Sequence, residues 1–332
     1  MEKRQTNRIQ WIDAAKCIGM VMVAFGHNWL DSKFCYYFYA FHMPLFFILA
    51  GITFSTKRDF MAFTWRKFKT LMIPYIFFAF CLLVFYDFLS LTHGGNYDIY
   101  ENAKAFVLQQ RHTLLWFLPV MFLSELLVFI LLKIRGISRG TGILIVIIGL
   151  IVVHILLDYL EYKRLIWNID LVPIATAFIL VGVLYQRFNG RLLIENKFWF
   201  IGTLLLMSIF VTTYNYISSG QFVDMFNSQY GHYPLFLIGA ISATYFLILV
   251  LKKITMPQWL IYIGTYSLVY YGFHRILIEL MFIAYGRLGL EFVKDAWSGV
   301  GLAILNVLVS FALIYPISIF INKRCPWLIG KF

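Results

Sequence analysis

Apolar runs of about 20 residues recur along the whole chain, and they limit its fold more than any other feature. An α-helix needs roughly that many apolar residues to cross the hydrocarbon core of a bilayer, where every backbone polar group must be hydrogen-bonded internally. Of the 332 residues, 61% are hydrophobic and only 13% are charged, whereas soluble domains carry about 25% charged residues. The sequence therefore predicts an all-α integral membrane protein.

About ten transmembrane helices are predicted, because charged or turn-forming residues separate ten apolar runs. The predicted spans are residues 11–30, 36–55, 71–91, 114–132, 142–159, 169–186, 198–217, 233–251, 260–282 and 298–321. Ten spans place both termini on the same side of the membrane.

The basic residues indicate which side this is. Most of the 28 lysines and arginines lie in loops on the side of the termini, while Lys16 and Arg275 fall within spans. The loops of the opposite side hold Lys33, Lys104, Arg111, Lys163, Arg164, Arg287 and Lys294. Because basic loops remain cytoplasmic, both termini are predicted to be cytoplasmic. The net charge of +12 follows from the same rule, so no nucleic acid is expected as a partner.

The first span carries two polar residues at an informative spacing. Lys16 and His27 are eleven residues apart, which on an α-helix places both on one face with a separation of about 16 Å. Lys16 is then near the cytoplasmic surface and His27 lies deeper. An ionisable residue inside a membrane usually marks a site or pathway, and a histidine can act as a base near neutral pH. For Lys16 the alternative is a snorkelling lysine that pairs with Asp13 one turn earlier.

A coenzyme A thioester suits this spacing. Its phosphates bind lysine or arginine, and its slim pantetheine arm is of comparable length, so it can bring the thioester carbonyl to His27. An alternative from another class is a secondary transporter for a small anion, in which His27 relays protons. The sequence lacks the inverted repeat or paired glycine-interrupted half-helices that favour a transporter. A noncatalytic membrane scaffold is the third interpretation, and it leaves His27 unexplained.

Several motifs resemble those of the membrane-bound acyltransferase-3 family, which includes bacterial O-acetyltransferases of polysaccharides and fucose 4-O-acetylase-like proteins. In the order of that family they are WIDAAKCIGMVMVAFGH at 11–27, FHMPLFFILAG at 41–51, RKFK at 66–69, WFL at 116–118 and GTYSLVYYGFH at 264–274. The resemblance implies an acyl-CoA donor, most often acetyl-CoA, and transfer of the acyl group to a hydroxyl of a carbohydrate or glycolipid acceptor.

The resemblance also implies roles for individual residues. Lys16, Arg66 and Lys69 are expected to hold the CoA phosphates, with His27 as the general base and His42 as a second catalytic candidate. Lys16 and Lys69 stand where arginine is commoner, and a lysine contacts phosphate as a point charge rather than as a planar fork. A mechanism in which His27 briefly carries the acyl group is left open.

Further polar and aromatic residues are expected around this site. Glu125 lies midway along a predicted span, where a charge is costly, so it should face the protein interior and pair with a cation or a histidine. Arg275 and Glu279 are expected to form an ion pair, because they are four residues apart on a helix. No metal is expected, since no HExxH motif or Cys/His cluster is present. The candidates that touch the substrate or support the site are Asp13, Trp116, Glu125, Ser267 and His274.

The whole chain, residues 1–332, is interpreted as a single transmembrane acyltransferase domain without an appended soluble domain. The expected partners are acyl-CoA, the acceptor and the lipid bilayer, and a homo-oligomer is left open. The expected location is the inner (cell) membrane of a bacterium, as a multi-pass protein.

Overall fold

The computed structural model describes residues 9–93, 98–109, 114–137, 139–188 and 197–331. These residues form helices and connecting loops, and their only β-structure is an isolated antiparallel bridge between Asp224 and Gln229. Some basic residues that enter the predicted charge distribution lie outside the described residues, namely Lys3, Arg4, Arg8, Arg111 and Arg191.

The described residues contain fourteen α-helices. In chain order, α1 to α14 are Gln10–Gly26, Ser32–Tyr39, His42–Ile52, Phe60–Lys67, Ile73–His93, Ile99–Leu108, Phe117–Lys133, Gly140–Tyr159, Val172–Phe188, Phe198–Ser219, Tyr233–Leu251, Gln258–Thr265, Ser267–Leu288 and Trp297–Arg324. A π-helical turn, Phe68–Met72, connects α4 to α5.

Nine helical segments in the described part of the chain are long and apolar enough to cross a membrane. They correspond to the second to tenth predicted spans. The prediction of an all-α membrane protein is thereby confirmed. The segment predicted at 11–30 is α1, which has only 17 residues. It ends at Gly26 because the chain leaves the helical conformation at His27, and Trp29 has a φ of 60°.

Two predicted spans are interrupted in the structure. The span predicted at 36–55 consists of α2 and α3, with a break at Ala40 and Phe41. The span predicted at 260–282 is divided at Tyr266 into α12 and α13. Hydropathy averaged over a whole span does not show these breaks, because one or two turn residues hardly change the average.

The chain divides into two compact units. The first unit comprises Met1–Phe46, Leu192–Val223 and Gly231–Tyr315. Within it, α1 packs against α12, and α10 packs against α11. Gly264 permits the first of these contacts, because a Cβ atom there would lie 1.7 Å from the carbonyl oxygen of Asp13. Small residues allow such close approach of helix backbones in membranes.

The second unit comprises Phe47–Arg191, Asp224–Tyr230 and Pro316–Phe332. In this unit α9 packs against α7 and α8. A second close approach of helices depends on glycine, because a Cβ atom at Gly51 would lie 1.9 Å from the carbonyl oxygen of Ile179. The facing glycine, Gly182, lies similarly close to α3, because a Cβ atom there would be 2.1 Å from the carbonyl oxygen of Ile48.

Candidate active site

The centre of the candidate site is the end of α1, where His27 follows the last helical residue. The backbone N–H of His27 still donates to the carbonyl of Val23 at 3.2 Å, so His27 completes the last turn. Its side chain is half-buried. The chain then turns sharply at Trp29, which adopts the left-handed conformation that few non-glycine residues occupy.

The ring of His274 lies beside the ring of His27. Their centroids are 5.2 Å apart and their planes are tilted by 42°. His274 is fully buried, and its Nδ1 lies 2.8 Å from the carbonyl oxygen of Tyr271 and 3.1 Å from that of Tyr270. Because carbonyl oxygens only accept, Nδ1 carries the hydrogen in the neutral ring and Nε2 keeps its lone pair. That Nε2 has no hydrogen-bond partner among the described residues.

Arg275, the next residue on α13, fixes the end of α1. Its Nη1 donates to the carbonyl oxygen of His27 at 3.2 Å, and its guanidinium lies 4.7 Å from the ring centroid of Trp29. Its Nη2 is 3.0 Å from a carboxylate oxygen of Glu279, so the predicted ion pair is confirmed. The arginine is therefore held on three sides, and its contacts keep the backbone of His27 in place.

His42, the second catalytic candidate, begins α3 and is buried. Its Nδ1 lies 2.9 Å from the carbonyl oxygen of Phe38, which again assigns the hydrogen to Nδ1. Tyr39 lies between this histidine and α1, because its ring centroid is 4.9 Å from that of His42 and its hydroxyl donates to the carbonyl of Gly26 at 3.1 Å. Tyr39 is not part of any of the motifs described above, so it could not be singled out from the sequence.

The N-terminal half of α1 carries Lys16 and Asp13. The Lys16 Nζ is 3.7 Å from a carboxylate oxygen of Asp13, and the lysine side chain is 33% exposed whereas that of Asp13 is 2% exposed. The alternative expected pairing of these residues is thus present, with a loose contact. Ser267 begins α13 and lies two turns before His274, about 10 Å along the helix axis.

The remaining predicted residues lie in the second unit. Glu125 does pair with a cation, but that cation is Lys67, whose Nζ is 2.5 Å from Oε1. Nothing in the sequence distinguished Lys67 from its basic neighbours. Trp116 lies just before α7 and is buried, with its ring centroid 6.2 Å from that of Phe226.

The predicted spans 36–55 and 71–91 leave Arg66 and Lys69 in a loop, and this loop is helical instead. Arg66 lies in α4 and Lys69 in the π-helical turn that continues into α5. The helix starts early because the carboxylate of Asp59 caps it by accepting the backbone N–H of Ala62 at 2.9 Å. The Lys69 ammonium lies 5.2 Å from the ring centroid of Trp65.

The predicted residues thus belong to both units rather than to one of them. The first unit holds Asp13, Lys16, His27, His42, Ser267 and His274, and the second holds Arg66, Lys69, Trp116 and Glu125. Within the first unit, the rings of His27 and His274 are in direct contact. Across the described residues, no group of three or more His, Cys, Asp or Glu is arranged to hold a metal ion.

Comparison with models of known protein families gives a match over most of the chain. A protein-family model described as an acyltransferase domain, the acyltransferase-3 model, matches residues 9–315. No curated protein and no solved structure matches the chain.

Proposed function

The chain belongs to the acyltransferase-3 family, and on this premise we propose that it is an O-acyltransferase of the cell membrane. The proposed donor is acetyl-CoA, and the proposed acceptor is a hydroxyl group of a carbohydrate or a lipid-linked glycan. The family match supports acyl transfer and gives the transporter hypothesis no support. The observation that carries the proposed chemistry is the contact between His27 and His274.

In the proposed reaction His27 is the general base. Its imidazole takes the proton of the acceptor hydroxyl while the hydroxyl oxygen bonds to the thioester carbonyl carbon. The tetrahedral intermediate then collapses, the carbon–sulfur bond breaks, and His27 returns the proton to the departing CoA sulfur. The products are the ester and free CoA, and His27 ends in its starting state.

His274 supports this role through its fixed tautomer. Its Nδ1 hydrogen is committed to the carbonyls of Tyr270 and Tyr271, so the free lone pair on Nε2 is a hydrogen-bond acceptor in the immediate surroundings of His27. In the proposed mechanism His27 donates one N–H to that lone pair, which leaves its other nitrogen as the base. The same bond stabilises the imidazolium that forms during the reaction.

The phosphates of CoA are proposed to bind the basic residues on the cytoplasmic side. Lys16 supports this role by its partial exposure, since 33% of its side chain is accessible. Its spacing from His27, about 16 Å along α1, suits the length of the pantetheine arm. Arg66 and Lys69 are proposed as further phosphate ligands on the strength of the family motif.

Radiolabelled acetyl-CoA supplied to inverted membrane vesicles that contain the protein tests this function. We expect label to enter carbohydrate or glycolipid material with wild type, and His27→Ala to lower the rate by about a hundredfold or more. His154→Ala is the control, since it removes a buried histidine of the second unit whose Nδ1 lies 2.9 Å from a backbone carbonyl. It should retain transfer per folded protein.

Two results would contradict the proposal. One is full transfer in vesicles that contain His27→Ala. The other is the absence of label in any acceptor with wild type, combined with no change in thermal stability when acetyl-CoA is added to the purified protein.

A further inference from the structure

We infer that Tyr285, Asn306 and Asn28 form a chain of buried hydrogen bonds that positions His27 for the reaction. We call this chain the amide relay. It joins α13, α14 and the residue that directly follows His27, and none of its members is part of a motif discussed above. The inference rests on the proposed function, because it assigns these residues a role in placing the proposed base.

The amide relay is continuous, and all three of its side chains are buried. The Tyr285 hydroxyl donates to Oδ1 of Asn306 at 2.5 Å, and Nδ2 of Asn306 donates to Oδ1 of Asn28 at 2.7 Å. Nδ2 of Asn28 then donates to the carbonyl oxygen of Ala24 at 2.8 Å. Both asparagines are 0% exposed.

The orientation of each amide in the relay follows from the last acceptor, the carbonyl oxygen of Ala24. The carbonyl oxygen of Ala24 can only accept, so the amide nitrogen of Asn28 must face it and the amide oxygen must face Asn306. The opposite orientation would set two oxygens against each other. Asn306 must therefore present its nitrogen to Asn28 and its oxygen to Tyr285, where the hydroxyl supplies the hydrogen.

The place of the relay in the fold connects it to His27. The Asn28 side chain reaches back to the last turn of α1, which keeps the turn intact up to the histidine. Arg275 holds the carbonyl of His27 from α13, and the relay holds the next residue from α14. His27 is thereby fixed by its own backbone on one side and by its neighbour on the other.

A role in stability alone accounts poorly for this arrangement. Leucine side chains at the positions of Asn28 and Asn306 could be buried among apolar helices without any hydrogen bond. Two buried amides, in contrast, cost free energy unless their polar atoms are hydrogen-bonded. Hydrogen bonds between membrane helices add little net stability, because the unfolded chain in the membrane also finds partners. What the amides do supply is a single orientation of the residue next to His27.

The test measures acetyl transfer in vesicles together with the acetyl-CoA concentration at half-maximal rate. Asn28→Ala and Asn306→Ala should each lower the maximal rate by up to about a hundredfold, since a misplacement of about 1 Å can have that effect. The half-saturating concentration should stay unchanged, because the relay does not touch the donor. Tyr285→Phe removes one hydroxyl and preserves the ring, so it should give a smaller loss in the same direction.

The matched control is Asn215→Ala. Asn215 is also a buried asparagine of the first unit, and its Oδ1 accepts the backbone N–H of His232 at 2.7 Å. It takes no part in the relay. The control should lose thermal stability and keep the maximal rate per folded protein. A loss of rate as large as that of Asn306→Ala would overturn the inference, since any buried asparagine would then do the same.

The double variant Asn28→Ala/Asn306→Ala provides a second criterion. Members of one chain act as a unit, so the double variant should be no slower than the slower single variant. Losses that multiply would show that the two asparagines act independently, and this would overturn the relay.

A readout that does not depend on activity separates this inference from the proposed function. Diethyl pyrocarbonate modifies accessible neutral histidines, and mass spectrometry gives the modification rate of His27 in purified protein. We expect Asn306→Ala and Tyr285→Phe to raise this rate, because His27 gains freedom. An unchanged rate in both variants overturns the relay, whereas the absence of acetyl transfer in wild type concerns only the proposed function.

Discussion

At the scale of single residues, the chemistry of this chain depends on polar groups that an apolar environment makes expensive. His27 and His274 are such groups, and so are Lys67 and Glu125 in the second unit. In each pair the partners come from helices that are far apart in the sequence. Each pair keeps some of its polar atoms bonded: Oε1 of Glu125 pairs with Lys67, and Nδ1 of His274 is bonded to backbone carbonyls.

Removing one member of the Lys67–Glu125 pair should lower the stability of the protein, because the other member is left as a buried charge without a partner. Glu125 is buried and the lysine is mostly so, so Glu125→Ala leaves a cation with no counter-charge at that place. We expect a loss of about 3–5 kcal/mol in the free energy of unfolding, measured by thermal or denaturant unfolding in detergent. The double variant Lys67→Met/Glu125→Leu should recover most of it.

An exposed pair provides the comparison for this prediction. Lys104 and Glu101 are 3.4 Å apart, and both side chains are more than half exposed. Glu101→Ala should therefore change stability by less than about 1 kcal/mol. Equal effects of Glu125→Ala and Glu101→Ala would contradict the burial argument.

At the scale of helices, glycines decide how closely two elements approach. Gly51 on α3 and Gly182 on α9 lie so near the facing backbone that a side chain on either would collide with a carbonyl oxygen. Such contacts replace the hydrophobic driving force, which is weak between helices already surrounded by lipid.

Gly51→Ala should force α3 and α9 apart, since the new Cβ atom would be 1.9 Å from the carbonyl oxygen of Ile179. We expect a fall in the melting temperature, or a loss of folded protein, measured by size-exclusion chromatography of detergent extracts after a temperature series. Gly149→Ala on α8 is the control, because nothing lies within 4 Å of a Cβ atom there. It should be neutral or slightly stabilising, because alanine is the better helix former.

At the scale of the whole molecule, the described chain provides nine span-length helices, and α1 is a tenth apolar helix of 17 residues. The excess of basic residues in alternate loops predicts that both termini are cytoplasmic. Span number and charge distribution agree with each other, since an odd number of crossings would mix the basic loops between the two sides.

Cysteine labelling tests this orientation. In a variant without native cysteines, Arg58→Cys should react with a membrane-impermeant maleimide only from the cytoplasmic side. Asn227→Cys should react only from the opposite side, because it lies in the loop predicted to be outside. Labelling of both positions from one side would show that the predicted orientation or the span count is wrong.

Much of this architecture could be predicted from the sequence, because hydropathy and helical periodicity are local properties. The membrane-spanning character and the placing of Lys16 and His27 on α1 needed only the composition of a run and about 100° per residue. The ion pair of Arg275 and Glu279 lies within one helix and was predictable for the same reason. The family motifs added the reaction class, and they also predict an acyl-CoA donor.

Other features were settled only by tertiary structure. His27 and His274 meet although 247 residues separate them in the chain, and Lys67 rather than another cation reaches Glu125. Asn28, Asn306 and Tyr285 form one chain only when α1, α13 and α14 are packed together. The helix breaks at Ala40 and Tyr266 could also not be predicted from the sequence. Contacts between helices depend on how distant segments pack, and an apolar run carries almost no information about which neighbour it will face.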